Sequence, residues 1–137
     1  MAAGTLVDSN VLLDIFTEDA NWLEWSTDAL GAAAEAGPLY INPVIYAEVS
    51  VRFSRVEEIE DALPSSEFRR AALPWAAAFL AGKVFVSYRR KRGAASAPLP
   101  DFFIGAHAAV DELALLTRDA RRYRTYFPTV QLLAPES

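Results

Sequence analysis

Cysteine is absent from all 137 residues of this chain. That excludes disulfides, thiolate metal sites and cysteine nucleophiles, and it fits a reducing compartment. Histidine is nearly absent as well, since His107 stands alone, and lysine is confined to Lys83 and Lys91. The N-terminus runs almost directly into an apolar segment, without the basic region, hydrophobic stretch and cleavage site of a secretory signal. The longest apolar run, near Ala71 to Gly82, is interrupted by Pro74 and falls short of the ~20 residues a membrane span needs. A cytoplasmic, soluble protein without a membrane partner is expected.

What is present suffices for a real core. A hydrophobic fraction of 53% with 23% charged residues is ordinary for a soluble globular chain. The length implies a single domain over residues 1–137. The net charge of −5 argues against a protein that coats nucleic acid non-specifically. Positive charge is nonetheless clustered, in Arg89-Arg90-Lys91-Arg92 and again in Arg118, Arg121, Arg122 and Arg124. Such clusters can hold phosphates beside an acidic centre. The first can equally complement the dipole at a helix C-terminus, and the two roles are compatible.

The hydrophobic pattern alternates short strands with helices. Thr5-Leu6-Val7 reads as a buried strand, followed by a helical pattern from Val11 to Phe16. Asn21 with Glu24 resembles a capping box that opens a helix ended by Gly37-Pro38. Leu39-Tyr40-Ile41 is a second strand, and Pro43 suits the first turn of a helix carrying Glu48. From Val56 to Leu80 the pattern is helical with a break near Pro64, and Pro74 opens a further helix from Trp75 to about Arg92. Gly82 inside that helix suggests close packing against a neighbour. Gly93 to Pro100 reads as a loop, and Asp101 as the start of the next helix. Ala114 to Thr117 is a third strand, Asp119 starts a short helix, and Val130 to Leu133 is a last strand. Alternation of this kind predicts a three-layer α/β/α sandwich around a short, mostly parallel sheet of four or five strands. Sites in such sheets lie beyond the carboxyl ends of the strands.

Four acids stand where apolar or turn segments would ordinarily exclude a bare charge: Asp8, Glu48, Asp101 and Asp119. Asp8, Asp101 and Asp119 each admit a simpler role as a helix cap. Capping and metal binding can coexist, because a carboxylate offers about four lone-pair sites. Glu48 lies within Val44, Ile45, Tyr46, Ala47, Val49 and Val51, a setting that disfavours an idle glutamate. Two unit charges 4 Å apart repel by ~4 kcal/mol at an effective dielectric of 20, so gathered carboxylates need protons or a divalent cation. Oxygen ligands without a histidine or cysteine cluster favour Mg²⁺ or Mn²⁺ over Zn²⁺.

Several pieces together resemble the PIN-domain ribonucleases, in particular the VapC-type toxins of toxin–antitoxin pairs. They are Leu6 to Asp14, Asn42-Pro43 with Glu48, Pro100-Asp101-Phe102-Phe103-Ile104-Gly105-Ala106-His107-Ala108, and Leu116-Thr117-Arg118-Asp119 leading into Arg122-Tyr123 and Phe127-Pro128. The resemblance implies a PIN-like fold and a Mg²⁺- or Mn²⁺-dependent endoribonuclease acting on transfer or ribosomal RNA. It also implies a homodimer and a cognate antitoxin covering the acidic site. On that resemblance Asp8, Asp101 and Asp119 would bind metal directly or through water, and Glu48 through water or by orienting the attacking water. Asn10 and Thr117 would orient the carboxylates. Arg89, Arg90, Arg92, Arg118, Arg121 and Arg122 are the candidates for RNA phosphates.

Other readings remain. Dehalogenase-like phosphatases place a second aspartate two positions after the first, where this chain has Asn10. A receiver domain needs a lysine from a late strand, yet both lysines fall on the Trp75 helix. A catalytically silent PIN-like module that binds RNA or protein is the main alternative. His107, ~600° around the helix from Asp101, faces elsewhere and is expected to pack or lie on the surface. The helix from Trp75 is apolar nearly all round, more than one buried stripe requires, which suggests a dimer face or an antitoxin groove.

Overall fold

The structure is a computed structural model that describes residues 2–92 and 99–136. Five strands form one sheet: β1 (Thr5–Val7), β2 (Leu39–Ile41), β3 (Phe68–Arg70), β4 (Ala114–Leu116) and β5 (Leu132–Leu133). Their order is β3-β2-β1-β4-β5, and every pairing is parallel. Seven described helices connect and cover them: α1 (Ser9–Phe16), α2 (Leu23–Ala36), α3 (Pro43–Ser50), α4 (Val56–Ala62), α5 (Trp75–Arg92), α6 (Leu99–Val110) and α7 (Arg121–Tyr126). The result is the expected α/β/α sandwich, with the sheet parallel throughout.

Strands this short form because their surroundings compel them. β1 and β4 are buried at every position, as strands covered on both faces must be, and apart from Thr5 every residue in them is apolar. Leu6, Val7, Ile41, Leu115 and Leu116 make the centre of the core. β1 lies in the middle of the sheet. The chain lays β2 and β3 on one side of it and then returns to lay β4 and β5 on the other. The order of strands therefore reverses between β1 and β4, and the crevice beyond their carboxyl ends is where a parallel sheet leaves room for a site.

A second packing centre fixes the late helices. Phe102 of α6 meets Tyr88 of α5 at 5.4 Å between ring centroids, Tyr126 of α7 at 5.5 Å and Phe127 at 6.4 Å, all in edge or tilted arrangements. Gly105 is what lets Phe127 approach α6, because any Cβ there would collide with its ring.

Several local expectations need correction. The helical reading of Val56 to Leu80 missed β3. Only Phe68 of that strand is buried while Arg69 and Arg70 are exposed, so it lacks an apolar run and is defined by its register, Leu39 to Phe68 and Ile41 to Arg70. Asn21 does not cap α2. The Asp19 carboxylate accepts from the backbone N–H of Asn21 at 2.8 Å and of Trp22 at 2.9 Å instead, and α2 begins at Leu23. Among the described residues nothing outside its own helix lies within 4 Å of where a Gly82 Cβ would stand, so no close packing there accounts for the glycine. Asp101 sits in the first turn of α6, which starts two residues earlier, and Asp119 precedes α7 rather than opening it. Of the loop expected over Gly93 to Pro100, residues 93–98 lie outside the described residues.

Candidate active site at the carboxyl edge of the sheet

Asp8 follows β1 directly and caps α1, its Oδ1 accepting from the Ser9 backbone N–H at 2.7 Å. Its other oxygen, Oδ2, accepts from the Thr117 hydroxyl at 2.8 Å and the Tyr123 hydroxyl at 3.0 Å. The direction of the first of these is fixed by the neighbours. Asn10 Nδ2 and the Asp119 backbone N–H both donate to Thr117 Oγ1, each at 3.2 Å, so the Thr117 proton turns to Asp8. Asn10 Oδ1 in turn accepts from the Arg118 backbone N–H at 3.3 Å. Asn10 and Thr117 thus both act on the orientation of Asp8, across the seam between β1 and β4.

Glu48 reaches the same place from α3. That helix is set by Asn42, whose Oδ1 accepts from the Ile45 backbone N–H at 2.9 Å, and by Pro43 in the first turn. Glu48 lies in the second half of α3 rather than near its start, and its Oε1 accepts from the Ser9 hydroxyl at 2.8 Å. Asp101, from the first turn of α6, accepts from Arg122 Nη1 at 2.5 Å.

The charges of these acids reach one another. Burial raises the Asp8 carboxyl to about 6, with the Asp101 and Glu48 charges adding to the rise while hydrogen bonds from Thr117 and Tyr123 oppose it. Glu48 is also raised, first by burial, with Asp101 adding to the rise. Asp101 is raised by burial against the opposing Arg122 charge, and Asp119 pushes it further up. Tyr123 is driven well above its ordinary value by burial and by Asp8, Asp101 and Glu48, so at neutral pH its hydroxyl is a fixed donor. Asp8, Glu48 and Asp101 form the inner group. Asp119 is exposed at the rim, linked to the others through its charge on Asp101.

As the side chains stand, no three acids or histidines among the described residues are close enough to grip one ion. The partners explain why: Asp8 is turned toward its three donors, Glu48 toward Ser9 and Asp101 toward Arg122. The chemistry of the set still suits a hard divalent cation, being all oxygen and mutually repulsive. Asp8, Asp101 and Asp119, with Glu48, are the residues that could hold it once Asp101 is freed from its arginine.

The expected basic residues divide by partner. Arg118 is committed to Asp14, its Nε to Oδ2 at 2.7 Å and Nη2 to Oδ1 at 3.0 Å, and its guanidinium lies over the Trp22 ring at 5.4 Å. Arg122 belongs to Asp101. Arg89, Arg90 and Arg121 are exposed, Arg89 lying over the Phe85 ring at 5.8 Å. The Arg92 side chain lies outside the described residues.

Three contributors escaped the sequence reading. Ser9 joins Asp8 to Glu48, Tyr123 joins α7 to Asp8, and buried Asp14 anchors Arg118 and accepts from Ser26 Oγ at 2.8 Å. The one available signal for Tyr123 was its place four residues after Asp119, one turn onward with its ring turned inward. His107 is fully buried away from the acids. Its Nδ1 meets Asn42 Nδ2 at 2.9 Å and its Nε2 meets Asp111 Oδ2 at 2.9 Å. Because the Asn42 oxygen is taken by Ile45, its amide must donate to Nδ1, which leaves the Nε2 proton for Asp111. His107 thereby ties α6 to the cap of α3.

The sequence profile of the PIN domain family matches residues 5–128. Curated protein sequences offer no match. Among solved structures, VapBC2 from Rickettsia felis, bound to a DNA fragment from its promoter, is similar at a TM-score of 0.69 and 15% identity, covering 95% of this chain and 97% of that one. A toxin–antitoxin complex from Klebsiella pneumoniae is similar at 0.64 and 24%, covering 98% and 99%. FitAcB from Neisseria gonorrhoeae is similar at 0.67 and 20%, covering 94% and 96%. At these identities the structural likeness establishes the fold.

Proposed function

This chain belongs to the PIN domain family, and on that premise we propose that it is a metal-dependent endoribonuclease, the toxin of a toxin–antitoxin pair. The observation that carries the proposal is the meeting of Asp8 and Glu48 on Ser9 beyond the carboxyl end of β1, with Asp101 near enough for its charge to act on both. A cluster of repelling carboxylates, with Asp8 buried and Glu48 and Asp101 half-buried, costs a small domain stability, and it is retained where a cation or a reaction uses it.

In this reading Asp8, Asp101 and Asp119 hold Mg²⁺ or Mn²⁺, and Glu48 orients the attacking water. The cation would supply charge neutralisation at the phosphoryl oxygens and a bound water of lowered pKa. Ser9, Thr117 and Tyr123 fix the carboxylate oxygens so that little reorganisation remains when RNA binds. Exposed Arg89, Arg90 and Arg121 contact flanking phosphates, which positions the strand without reading its sequence. Transfer or ribosomal RNA is the substrate class we assign.

The proposed partners follow from the similar structures, one of which is a toxin–antitoxin complex by description. Trp75 is 91% and Phe79 69% exposed on α5, and large aromatics held in water are surfaces that another protein covers. A cognate antitoxin and a second copy of this chain are both proposed. No helix among the described residues is long and apolar enough to cross a membrane, and the cytoplasm is the proposed location. Residues 1–137 are taken as one nuclease domain.

The Arg122–Asp101 pair favours one second reading, a silent module that binds RNA or protein with its acids neutralised internally. End-labelled RNA incubated with the purified protein separates the two. Scission in Mn²⁺ or Mg²⁺ that stops in EDTA, and is lost in folded Asp8→Asn and Asp101→Asn variants, supports the enzyme. RNA retardation without scission under every metal condition refutes it.

A further inference from the structure

We propose that Arg122 is an exchangeable internal counter-ion, which holds Asp101 while no cation is bound and moves onto the RNA phosphate once a cation takes Asp101. The inference rests on the metal-site reading above and adds a residue that must leave before the site can fill.

The contrast between two arginines carries it. Arg118 grips Asp14 through two hydrogen bonds, Asp14 is 3% exposed, Ser26 completes its shell, and the guanidinium stacks on Trp22. That pair is locked. Arg122 makes one hydrogen bond among the described residues, Nη1 to Asp101 Oδ2, and the two side chains are 36% and 31% exposed. One contact in a half-solvated position leaves most of a five-donor fork unused. Exchanging it for a cation costs a single charge-assisted hydrogen bond.

Placement supports the same conclusion. No three acids among the described residues converge closely enough to grip one ion while Asp101 faces Arg122, and Arg122 supplies the positive charge that acts on Asp101. The backbone of α7 cannot carry the arginine away, because Tyr123 is buried and bonded to Asp8, and Tyr126 and Phe127 pack on Phe102. The Arg122 side chain therefore swings on a fixed base. Released from Asp101, its fork stays beside the acid that would face the scissile phosphate, and planar two-point recognition of phosphate is what a guanidinium does well. Arg122 is a positioning residue before metal binding and a phosphate ligand after it.

The test measures Mn²⁺ binding by electron paramagnetic resonance, apart from activity. Arg122→Gln should bind Mn²⁺ about tenfold more tightly than the unaltered protein, the worth of one charge-assisted hydrogen bond. Its kcat on RNA at saturating Mn²⁺ should nevertheless fall about tenfold or more. Arg122→Lys, which keeps the charge and loses the fork, should retain near-normal Mn²⁺ affinity and recover little of the kcat. Arg124→Ala removes an exposed charge from the same helix and calibrates the general field. Mn²⁺ affinity in Arg122→Gln no higher than in Arg124→Ala overturns the inference while leaving the metal-site reading intact. An unaltered protein that binds no Mn²⁺ overturns both. Should the variants fail to fold, ¹⁵N spectra of the unaltered protein decide: besides the hindered Nη signal of Arg118, a second must be present without metal and shift or collapse on adding Mg²⁺, and spectra in which every hindered arginine signal is indifferent to Mg²⁺ overturn the exchange.

Discussion

Replacing Asp8 with asparagine should change the pH dependence of stability in a direction opposite to that of an ordinary ion-paired aspartate. In the metal-free protein Asp8 is 3% exposed and its carboxyl is raised to about 6 from 3.8. Between those values the folded chain holds a proton on Asp8 that the unfolded chain has released. The slope of stability with pH follows protons bound unfolded minus protons bound folded, which is negative here. Stability is therefore greatest below the unfolded value and falls as pH rises through about 6. A displacement of about two units corresponds to about 3 kcal/mol. The amide that replaces the carboxylate carries its own penalty, since its NH₂ would meet either the Thr117 oxygen that already accepts from Asn10 and Asp119 or, turned over, the Ser9 backbone N–H. That penalty does not titrate. Urea denaturation of both proteins in EDTA, across about pH 4 to pH 7.5, isolates the Asp8 contribution as the difference between the curves. The unaltered protein should lose roughly 2.5 kcal/mol of this relative to Asp8→Asn over that span. Saturating Mg²⁺ at neutral pH should restore part of it to the unaltered protein alone. A difference that stays flat, or grows in favour of the unaltered protein as pH rises, refutes the account of the site as a strained carboxylate cluster.

Tyr123→Phe should leave the fold in place, because only the hydroxyl is lost. It should weaken Mn²⁺ binding about tenfold by freeing Asp8 Oδ2 from one of its two hydroxyl donors, as measured by calorimetric titration. Gly105→Ala should destabilise the protein by about 1–3 kcal/mol in urea, since its Cβ would strike the Phe127 ring, and Phe127→Leu should relieve part of that loss. His107 is lowered by burial and held neutral between Asn42 and Asp111, so its contribution is lost as pH falls below the unfolded value of 6.5. Stability of the unaltered protein minus that of His107→Gln should decline on acidification below about pH 6.5, and a difference without that decline refutes the neutral assignment.

The sequence showed most clearly what depends on a charge in the wrong company. Asp8 after Leu6-Val7 and Glu48 among Val44, Ile45 and Val49 conflict with their surroundings, and conflict is visible in one dimension. The alternation of elements likewise revealed a parallel sheet and hence the edge at which the acids gather. Hydroxyls gave no such signal. Ser9 and Tyr123 are unexceptional residues at the starts of helices, and only the crossing of α1, α3 and α7 makes them bridges. β3 was hidden for the reverse reason, being an edge strand whose pairing with β2 is satisfied by backbone while Arg69 and Arg70 face water. The Arg122–Asp101 pair depends on the register of α7 against α6, which is set by Phe102, Tyr126 and Phe127 packing and is invisible to spacing along the chain.

The hydrogen bonds that shape Asp8 join it to residues 109 and 115 positions later in the chain. A ribosome must therefore have released the chain past Tyr123 before both hydroxyls can reach their acceptor. Until then Asp8 lacks the Thr117 and Tyr123 hydroxyls, and β1 lacks its β4 neighbour. Any chemistry performed there is withheld from the nascent chain, and a prematurely terminated product carries none of it.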